Sequence, residues 1–401
     1  MDELQNTKPI KHTPLVAAQP VIKVVGLGGG GCNAVNRMIE YGMKGVEFIA
    51  CNTDKQALAS SLADTNIQLG PRCTRGLGAG GLPSIGEKAA EESFEALADA
   101  LDGADMVFLT AGMGGGTGTG SIPVAARVSK TIGAVTIAVV TTPFSFEMGK
   151  RQKNAIVGLQ KLRKFTDTMI TVPNDRLLDV APHDLPLEMA FKLADDVLRQ
   201  GVSGISELLT ETGLINVDFA HIRHVMSLGG GALMSIGTGE GEGKAMKALE
   251  QALHHPLLDE INLDTAAGII ANFTGSNDMT FAEVTETLNH LYQQAGDQVE
   301  IIPGVISNPN LTDRAQVILI VTGLGALPIE QAIPGAERYL ADLPQSEPKN
   351  SPRREPQASQ ARRGYDDSHE PERAYAFTES RAAMSTADLD VPAFLRKRIR
   401  G

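Results

Sequence analysis

Short apolar runs rich in β-branched residues alternate, along the first half of the chain, with segments of helical periodicity. Runs of this kind are typical of strands buried on both faces of a parallel sheet. The predicted strands are Val21–Gly26, Val46–Cys51, Asp105–Thr110, Ala134–Thr141 and Thr168–Val172. The predicted helices are Asn33–Tyr41, Ser84–Ala100 and Gly149–Phe165. This order predicts a Rossmann-like α/β domain over residues 21–186, with a mostly parallel sheet.

A long amphipathic helix, Leu187–Thr210, is predicted to follow and to form a central element over residues 187–211. Its apolar positions Phe191, Ala194, Val197 and Leu198 share one face. Strand-like runs then occur at Ala232–Ile236, Ala267–Phe273, Glu300–Ile306 and Gln316–Val321, with helical patterns at Gly243–His254 and Thr280–Ala295. We therefore expect a second, smaller α/β domain over residues 212–330.

Both ends of the chain differ in composition from this centre. Residues 1–20 are polar and proline-containing, which predicts a flexible arm, and residues 341–390 contain five prolines but no Ile or Val. A segment that buries so little apolar area cannot offset its chain entropy, so residues 331–387 are predicted to be a disordered linker. Apolar and basic residues return together in 388–401, which indicates a peptide that docks on a partner. The alternative is a frayed tail.

Charge and cysteine content narrow the class of protein. The formal net charge of −12 argues against a nucleic-acid or anionic-membrane binder. The three cysteines form no CxxC pair, so a disulfide framework and a zinc site are both disfavoured. The N-terminus lacks the pattern of a signal peptide, and the uncharged stretch 106–126 is too rich in glycine for a membrane helix. We expect a soluble cytoplasmic protein with no direct membrane insertion.

The first glycine cluster follows a predicted strand and opens a helix. Gly26, Gly28 and Gly31 fit the spacing G-x-G-x-x-G, and Asp54 follows the second strand, where a ribose-binding acid would stand. Glycine lets the backbone approach a phosphate, and the helix N-terminus offers free N–H groups. Alone, the motif fits an NAD-binding domain equally well, or a purely structural turn.

The second glycine cluster, Thr110–Ser121, again lies between a strand and a helix and contains six glycines. No Walker A loop accompanies it, because Gly243-Lys244 is followed by Ala245 and Thr238 stands where the first glycine should be. Two glycine cradles without a lysine indicate a nucleoside triphosphate held mainly by backbone N–H groups.

The run GGGTGTG at 114–120 resembles the signature loop of the tubulin/FtsZ superfamily. The resemblance extends over residues 21–322 and includes NTD at 52–54, RGLGAG at 75–80, PFSFE at 143–147, PNDRLL at 173–178 and GLINVDFA at 213–220. It implies a GTP-dependent GTPase that assembles head to tail into protofilaments and the bacterial division ring at midcell. The C-terminal DVPAFLRKR is similar to the family's peptide for membrane-tethering and regulatory division proteins, with Asp390, Val391, Pro392, Phe394, Leu395 and Arg396 as contact residues.

The same resemblance implies the nucleotide contacts. The residues expected to bind GTP are Gly29, Gly30, Gly31, Cys32, Asn33 and Asp54 in the first half of the site, Gly116, Thr117 and Gly118 at the β- and γ-phosphates, and Glu147, Arg151, Phe191 and Asp195 at the ribose and base. Phe191 can stack on a purine, while the carboxylate of Asp195 can accept hydrogen bonds from guanine N1–H and the 2-amino group. Adenine lacks that donor pair, so GTP is expected rather than ATP, with Mg²⁺ accompanying the nucleotide.

No hydrolytic site within one subunit is visible in the sequence. In the family, the loop after the long helix, here 213–221, enters the next subunit's nucleotide site, so Asn216, Asp218 and His221 are the expected catalytic residues. His221 replaces an Asp that is usual in the family, and a protonated imidazole cannot bind Mg²⁺. We therefore expect slower turnover with a steeper pH dependence between about pH 6 and 7.5. A surface substitution without effect remains an alternative.

Two other functions stay open at this point. An NAD-dependent oxidoreductase would use Gly26, Gly28, Gly31 and Asp54 but has no role for residues 114–120. A paralogue that assembles without hydrolysing GTP would follow if His221 disables the catalytic loop.

Overall fold

The computed structural model describes residues 20–338, apart from 148, 179–181, 183, 211–214, 216, 230, 256–262, 277, 297, 325–332, 334–335 and 337. The predicted N-terminal arm and the C-terminal linker and peptide lie almost wholly outside these described residues. Among the helices that are described, none combines the length and the apolar character needed to cross a membrane.

Ten strands in the described part of the chain form a single sheet in the order β3-β2-β1-β4-β5-β6-β7-β10-β8-β9. The strands are β1 Ile22–Leu27, β2 Glu47–Asn52, β3 Thr65–Gln68, β4 Met106–Gly112, β5 Val135–Thr142, β6 Thr168–Pro173, β7 Gly231–Glu240, β8 Gly268–Gly275, β9 Glu300–Ser307 and β10 Arg314–Thr322. Every neighbouring pair is parallel except those of β10, which runs antiparallel to β7 and β8. The mostly parallel α/β fold is confirmed.

Eleven α-helices are described alongside the sheet. They are α1 Gly28–Glu40, α2 Lys55–Ala59, α3 Pro83–Glu92, α4 Phe94–Leu101, α5 Thr117–Thr131, α6 Lys150–Leu162, α7 Asn174–Leu178, α8 Leu187–Thr210, α9 Phe219–Ser227, α10 Lys244–Leu253 and α11 Phe281–Ala295. The predicted bounds of α8 agree with the structure at both ends.

The predicted single helix Ser84–Ala100 is wrong, because the structure divides it into α3 and α4 at Ser93. The Ser93 hydroxyl accepts a hydrogen bond from Gly70 N at 2.9 Å, a partner that is distant in sequence. Ser93 itself has φ −103° and ψ 20°, which departs from helical backbone angles and separates the two helices. The short elements β3, α2, α7 and α9 were not predicted.

The long helix α8 packs against strands from both halves of the sheet. Its buried residues Val197, Val202 and Ile205 share one apolar cluster with Val139 of β5 and Ile318 of β10. The two halves are themselves joined where β6 and β7 pair at only two positions, Met169–Gly231 and Ile170–Ala232. The core around α8 therefore connects the two halves of the sheet.

Candidate nucleotide site and catalytic loop

Two helices begin side by side at the carboxyl edge of the sheet. Strands β1 and β4 are neighbours in register, with Gly26 opposite Thr110, and α1 and α5 start just after them. No side chain caps either N-terminus, since neither Leu27 nor Gly116 makes a capping hydrogen bond. The first N–H groups of both helices are therefore available to an anion, and both helix dipoles favour one.

The two glycine loops touch each other at Gly28. Its φ is +71°, and a Cβ added there would lie 2.6 Å from the backbone N of Gly118. Only glycine fits such a position, so this residue lets the two helix N-termini approach. Gly29 and Gly115 by contrast face open space, which leaves room for a ligand beside both loops.

The hydroxyl of Thr117, the first residue of α5, is tied to the end of β2. Its Oγ1 lies 2.6 Å from Oγ1 of Thr53. Asp54, next in the chain, caps α2 by accepting from Gln56 N and Ala57 N. Both of these bonds go to Oδ1 of Asp54. One oxygen of the carboxylate that the sequence analysis assigned to a ribose contact is therefore already used to cap α2.

Glu147 and Arg151 form an ion pair at the start of α6. Their side-chain atoms Oε2 and Nη1 are 2.5 Å apart, and Glu147 Oε1 also accepts from Phe144 N at 3.0 Å. The turn that carries Glu147 is held from α7, because Ser145 N donates to Asp175 Oδ1 at 2.8 Å. The structure therefore brings this predicted pair together at the sheet edge that carries the glycine loops.

Phe191 belongs to a cluster of three phenylalanines. Its ring meets those of Phe144 and Phe146 edge to face, with centroids 5.5 and 6.4 Å away. Phe191 is still 39% exposed, so part of its ring is available to a ligand. Phe144 lies two residues after the end of β5, which places this aromatic cluster at the same carboxyl edge.

Asp195 lies one turn after Phe191 and faces α1. Its Oδ2 is 3.7 Å from Nη2 of Arg37, whose Nη1 donates to the carbonyl of Lys192 at 2.9 Å. Burial raises the pKa of Asp195 to about 6, while the Arg37 guanidinium opposes the rise and the Asp196 carboxylate adds to it. Arg37 was not predicted as a site residue.

Asn174 is a second residue that the sequence analysis did not single out. It follows β6 as the first residue of α7, its side chain is buried, and its Oδ1 has no hydrogen-bond partner among the described residues. A buried polar atom without a partner is unusual in proteins, and this one lies at the carboxyl edge of the sheet that carries the glycine loops. Its place at the carboxyl end of a parallel strand was the available signal.

Cys32 lies in the first glycine loop but is buried. Its Sγ faces the carbonyls of Gly26 and Cys51, each at 3.7 Å. Burial raises the pKa of this thiol to about 11, so it is protonated at neutral pH and unreactive. Any contact that Cys32 makes with a nucleotide would come from its backbone N–H.

Two of the predicted catalytic residues, Asp218 and His221, lie at the opposite edge of the sheet. Asp218 is exposed and caps α9 through Ala220 N, and His221 is exposed in the first turn. Further along α9, the carbonyl of Met226 accepts from Thr168 Oγ1, at the amino end of β6. Asn216 lies outside the described residues. The structure therefore does not bring Asp218 and His221 to the glycine loops of the same molecule.

The length of α8 sets this separation. Phe191 stands near its first turn, and its last residue, Thr210, contacts Gly45 just before β2. Nineteen residues of α-helix span about 28 Å. Asp218 follows that end of the helix, so its distance from the phosphate loops of its own molecule is on the order of 30 Å.

No group of three metal-ligating side chains is found in the described part of the chain. Hydroxyls of Thr53 and Thr117 are present near the phosphate loops, but they are weak ligands on their own. A divalent cation at this site would depend on oxygens that the nucleotide supplies.

Comparisons with known proteins agree with this geometry. Residues 21–182 match the family model of the Tubulin/FtsZ family, GTPase domain, and residues 230–325 match that of the FtsZ family, C-terminal domain. An empty FtsZ dimer from M. jannaschii is 45% identical over 77% of this chain and 90% of that chain, with a TM-score of 0.74.

Two more distant structures share the fold at 19% identity. They are the GTPγS-bound protofilament of CetZ2 and the GDP-bound monomer of CetZ1, both from Haloferax volcanii, with TM-scores of 0.67 and 0.68. Each match covers 80% of this chain and 99% of the other chain.

Fold and site thus define a GTP-binding, tubulin-like cytoskeletal protein that carries a GTPase domain. Within that class, the chain belongs to the FtsZ family. This membership removes the NAD-dependent oxidoreductase from consideration.

Proposed function

We propose that this protein is a self-assembling GTPase of bacterial cell division, which hydrolyses GTP between two copies of the chain. The observation that carries the proposal is the placement of Asp218 and His221 at the sheet edge opposite the glycine loops. Since α8 holds Asp218 and His221 roughly 30 Å from the glycine loops of the same molecule, these two residues can act only on a nucleotide bound by another molecule.

The nucleotide would be gripped mainly by backbone. The N-terminal N–H groups of α1 and α5, from Gly29–Asn33 and Gly116–Gly118, would bind the phosphates, and Glu147 and Arg151 would contact the ribose. Phe191 would stack on guanine while Asp195 accepts from its N1–H and amino group. Mg²⁺, held by the phosphates and water, would offset charge on the γ-phosphate.

The second copy would supply Asn216, Asp218 and His221. A carboxylate and an amide can orient the attacking water, and positioning together with electrostatics accounts for most phosphoryl-transfer catalysis. His221 stands where the family usually has Asp, so we propose a slow rate of turnover. The contact pairs two different surfaces and does not close, which generates a filament.

Self-association is supported by the structures of relatives, one determined as a dimer and one as a protofilament. We propose that the filaments form the division ring at midcell in the cytoplasm. The peptide 388–401 would dock on membrane-tethering and regulatory division proteins. Its contact residues would be Asp390, Val391, Pro392, Phe394, Leu395 and Arg396. A coil of the length of 331–387 gives that peptide a reach of about 40 Å.

Light scattering and phosphate release, measured together with GTP, GDP or NAD, test this function. Scattering and release that both require GTP support the proposal. Scattering without release would instead identify a paralogue that assembles but does not hydrolyse, and no response to GTP would refute assembly altogether.

A further inference from the structure

A third glycine-rich loop, residues 75–82, covers the N-terminus of α5. Arg75 and the glycines at 76, 78, 80 and 81 all have positive φ, and Cβ atoms added at Gly80 or Gly81 would meet nothing. The loop lies directly on Gly116, where an added Cβ would be 2.7 Å from Leu82 N. It is therefore placed to close over a phosphate bound by α5. Backbone hydrogen bonds hold its first half, since Lys55 N donates to the Gly76 carbonyl and Gly78 N donates to the Thr53 carbonyl.

One side chain from another element joins this loop to the second glycine loop. Asn154 of α6 donates through Nδ2 to the carbonyl of Gly81 at 3.2 Å and to that of Gly114 at 3.1 Å. A carboxamide nitrogen has two hydrogens, so both are used. The bond to Gly114 is partly buried, whereas the bond to Gly81 is exposed.

The helix that carries Asn154 is itself fixed to the second glycine loop. A Cβ added at Gly158, one turn later, would lie 2.4 Å from Thr119 Cγ2. The hydroxyl of Thr119 in turn accepts from Gly114 N at 2.8 Å. Helix α6 and residues 114–119 thus form one firm support, and Asn154 connects loop 75–82 to it.

We propose that Asn154 is a positioning residue that holds loop 75–82 closed over the terminal phosphate and so slows the release of GTP more than that of GDP. This inference rests on the proposed function, in which GTP occupies the phosphate loops. Asn154 touches no reacting atom in this account and acts only through the carbonyls of Gly81 and Gly114. Its effect should therefore depend on the γ-phosphate.

The test compares Asn154→Ala with Gln160→Ala in the full chain. Gln160 lies on the same helix with an exposed side chain, so its replacement also removes a carboxamide. Dissociation of fluorescent GDP and of a slowly hydrolysed fluorescent GTP analogue is measured at dilutions where the chain does not scatter light. We expect Asn154→Ala to release the GTP analogue about tenfold faster, the effect of one or two lost hydrogen bonds, and to change GDP release much less. Gln160→Ala should match the wild type.

Equal rates in Asn154→Ala and the wild type would overturn the proposal, as would equal acceleration for both nucleotides, because that pattern indicates general loosening. Hydrogen exchange of the apo protein gives a second readout. The amides of 75–82 should exchange faster in Asn154→Ala, while those of β1 and β4 stay unchanged. If the wild type binds neither nucleotide, the proposed function fails first, and that result is distinguishable from failure of Asn154 alone.

Discussion

Asp195 is subject to two opposing influences on the protonation of its carboxyl group. Burial raises its pKa to about 6, and the nearby Arg37 guanidinium limits that rise. Only the ionised carboxylate can accept two hydrogen bonds from guanine, so the preference for GTP over ATP should be complete well above pH 6. It should fall as the pH drops through about 6, by up to about tenfold per pH unit. Dissociation constants for both nucleotides at about pH 5 and 7.5 check this.

Arg37 should determine where that loss of preference occurs. In Arg37→Met the opposing positive charge is absent, so the pKa of Asp195 should rise further and the GTP preference should already be weaker at neutral pH. Lys192→Met is the matched control, because Lys192 lies on α8 close to Asp195 but pairs with Glu188. A pH profile that shifts equally in both variants would contradict a specific action of Arg37.

His221 is exposed in the first turn of α9, three residues after Asp218. Replacement by Asp supplies a carboxylate, which is ionised at neutral pH and can interact with Mg²⁺. His221→Asp should therefore raise the rate of phosphate release about severalfold or more, as expected for one added electrostatic contact. His290→Asp on α11 is the same substitution outside the catalytic loop and should leave the rate unchanged. Indistinguishable rates for wild type and His221→Asp would mark position 221 as irrelevant to turnover.

At the scale of elements, the site depends on how closely the N-termini of α1 and α5 approach. Gly28→Ala introduces both a positive-φ alanine and a collision with Gly118 N, so GTP binding should weaken by more than tenfold and stability should fall by more than the ~1 kcal/mol of backbone strain alone. Gly103→Ala is the control, since Gly103 also has a positive φ but faces open space. GTP binding measured by calorimetry and stability measured by thermal melting are compared for both variants. Gly103→Ala reports the effect of backbone strain alone, and any larger loss in Gly28→Ala reports the collision with Gly118. Unchanged GTP binding in Gly28→Ala would contradict the phosphate role.

Elements with strong local signals were predicted well from the sequence. Apolar runs gave β1, β4 and β5 within two residues, and helical periodicity gave α8 without error. The break between α3 and α4 was not predicted, because the apolar pattern runs through Ser93, whose hydroxyl contacts Gly70, a residue distant in sequence. The strand β3 was missed because only one of its four residues, Ile67, is both apolar and buried.

The residues of the candidate site also differ in whether a local sequence pattern could predict them. The glycine loops can be recognised in the sequence because their residues are consecutive. Phe191 and Asp195 can be assigned to one helix face because they are four residues apart. Arg37 and Asn154 act through partners that other elements bring near, and no local pattern marks such residues. Asn174 could have been found, since it is polar and follows a buried strand.

At the scale of the whole molecule, α8 lies between the sheet edge that carries the glycine loops and the edge that carries Asp218 and His221. The proposed function assigns nucleotide binding to the first edge and catalysis to the second. Two inactive variants should therefore complement each other when mixed. The Asp218→Ala variant retains intact glycine loops, and the Gly28→Ala variant retains Asp218. In a mixture, GTP bound by an Asp218→Ala molecule can therefore meet Asp218 of a Gly28→Ala molecule. Phosphate release from the mixture should exceed the sum of the separate rates. A mixture no more active than its components would indicate that each molecule uses its own Asp218.

The most direct test of hydrolysis between copies is phosphate release measured against protein concentration. If Asp218 and His221 of one molecule act on GTP bound by the next, the rate per molecule should be near zero at high dilution and rise above a threshold concentration. That threshold should coincide with the onset of light scattering. A rate per molecule that stays constant from the most dilute to the most concentrated sample would show that a single chain holds a complete active site, and would contradict the account.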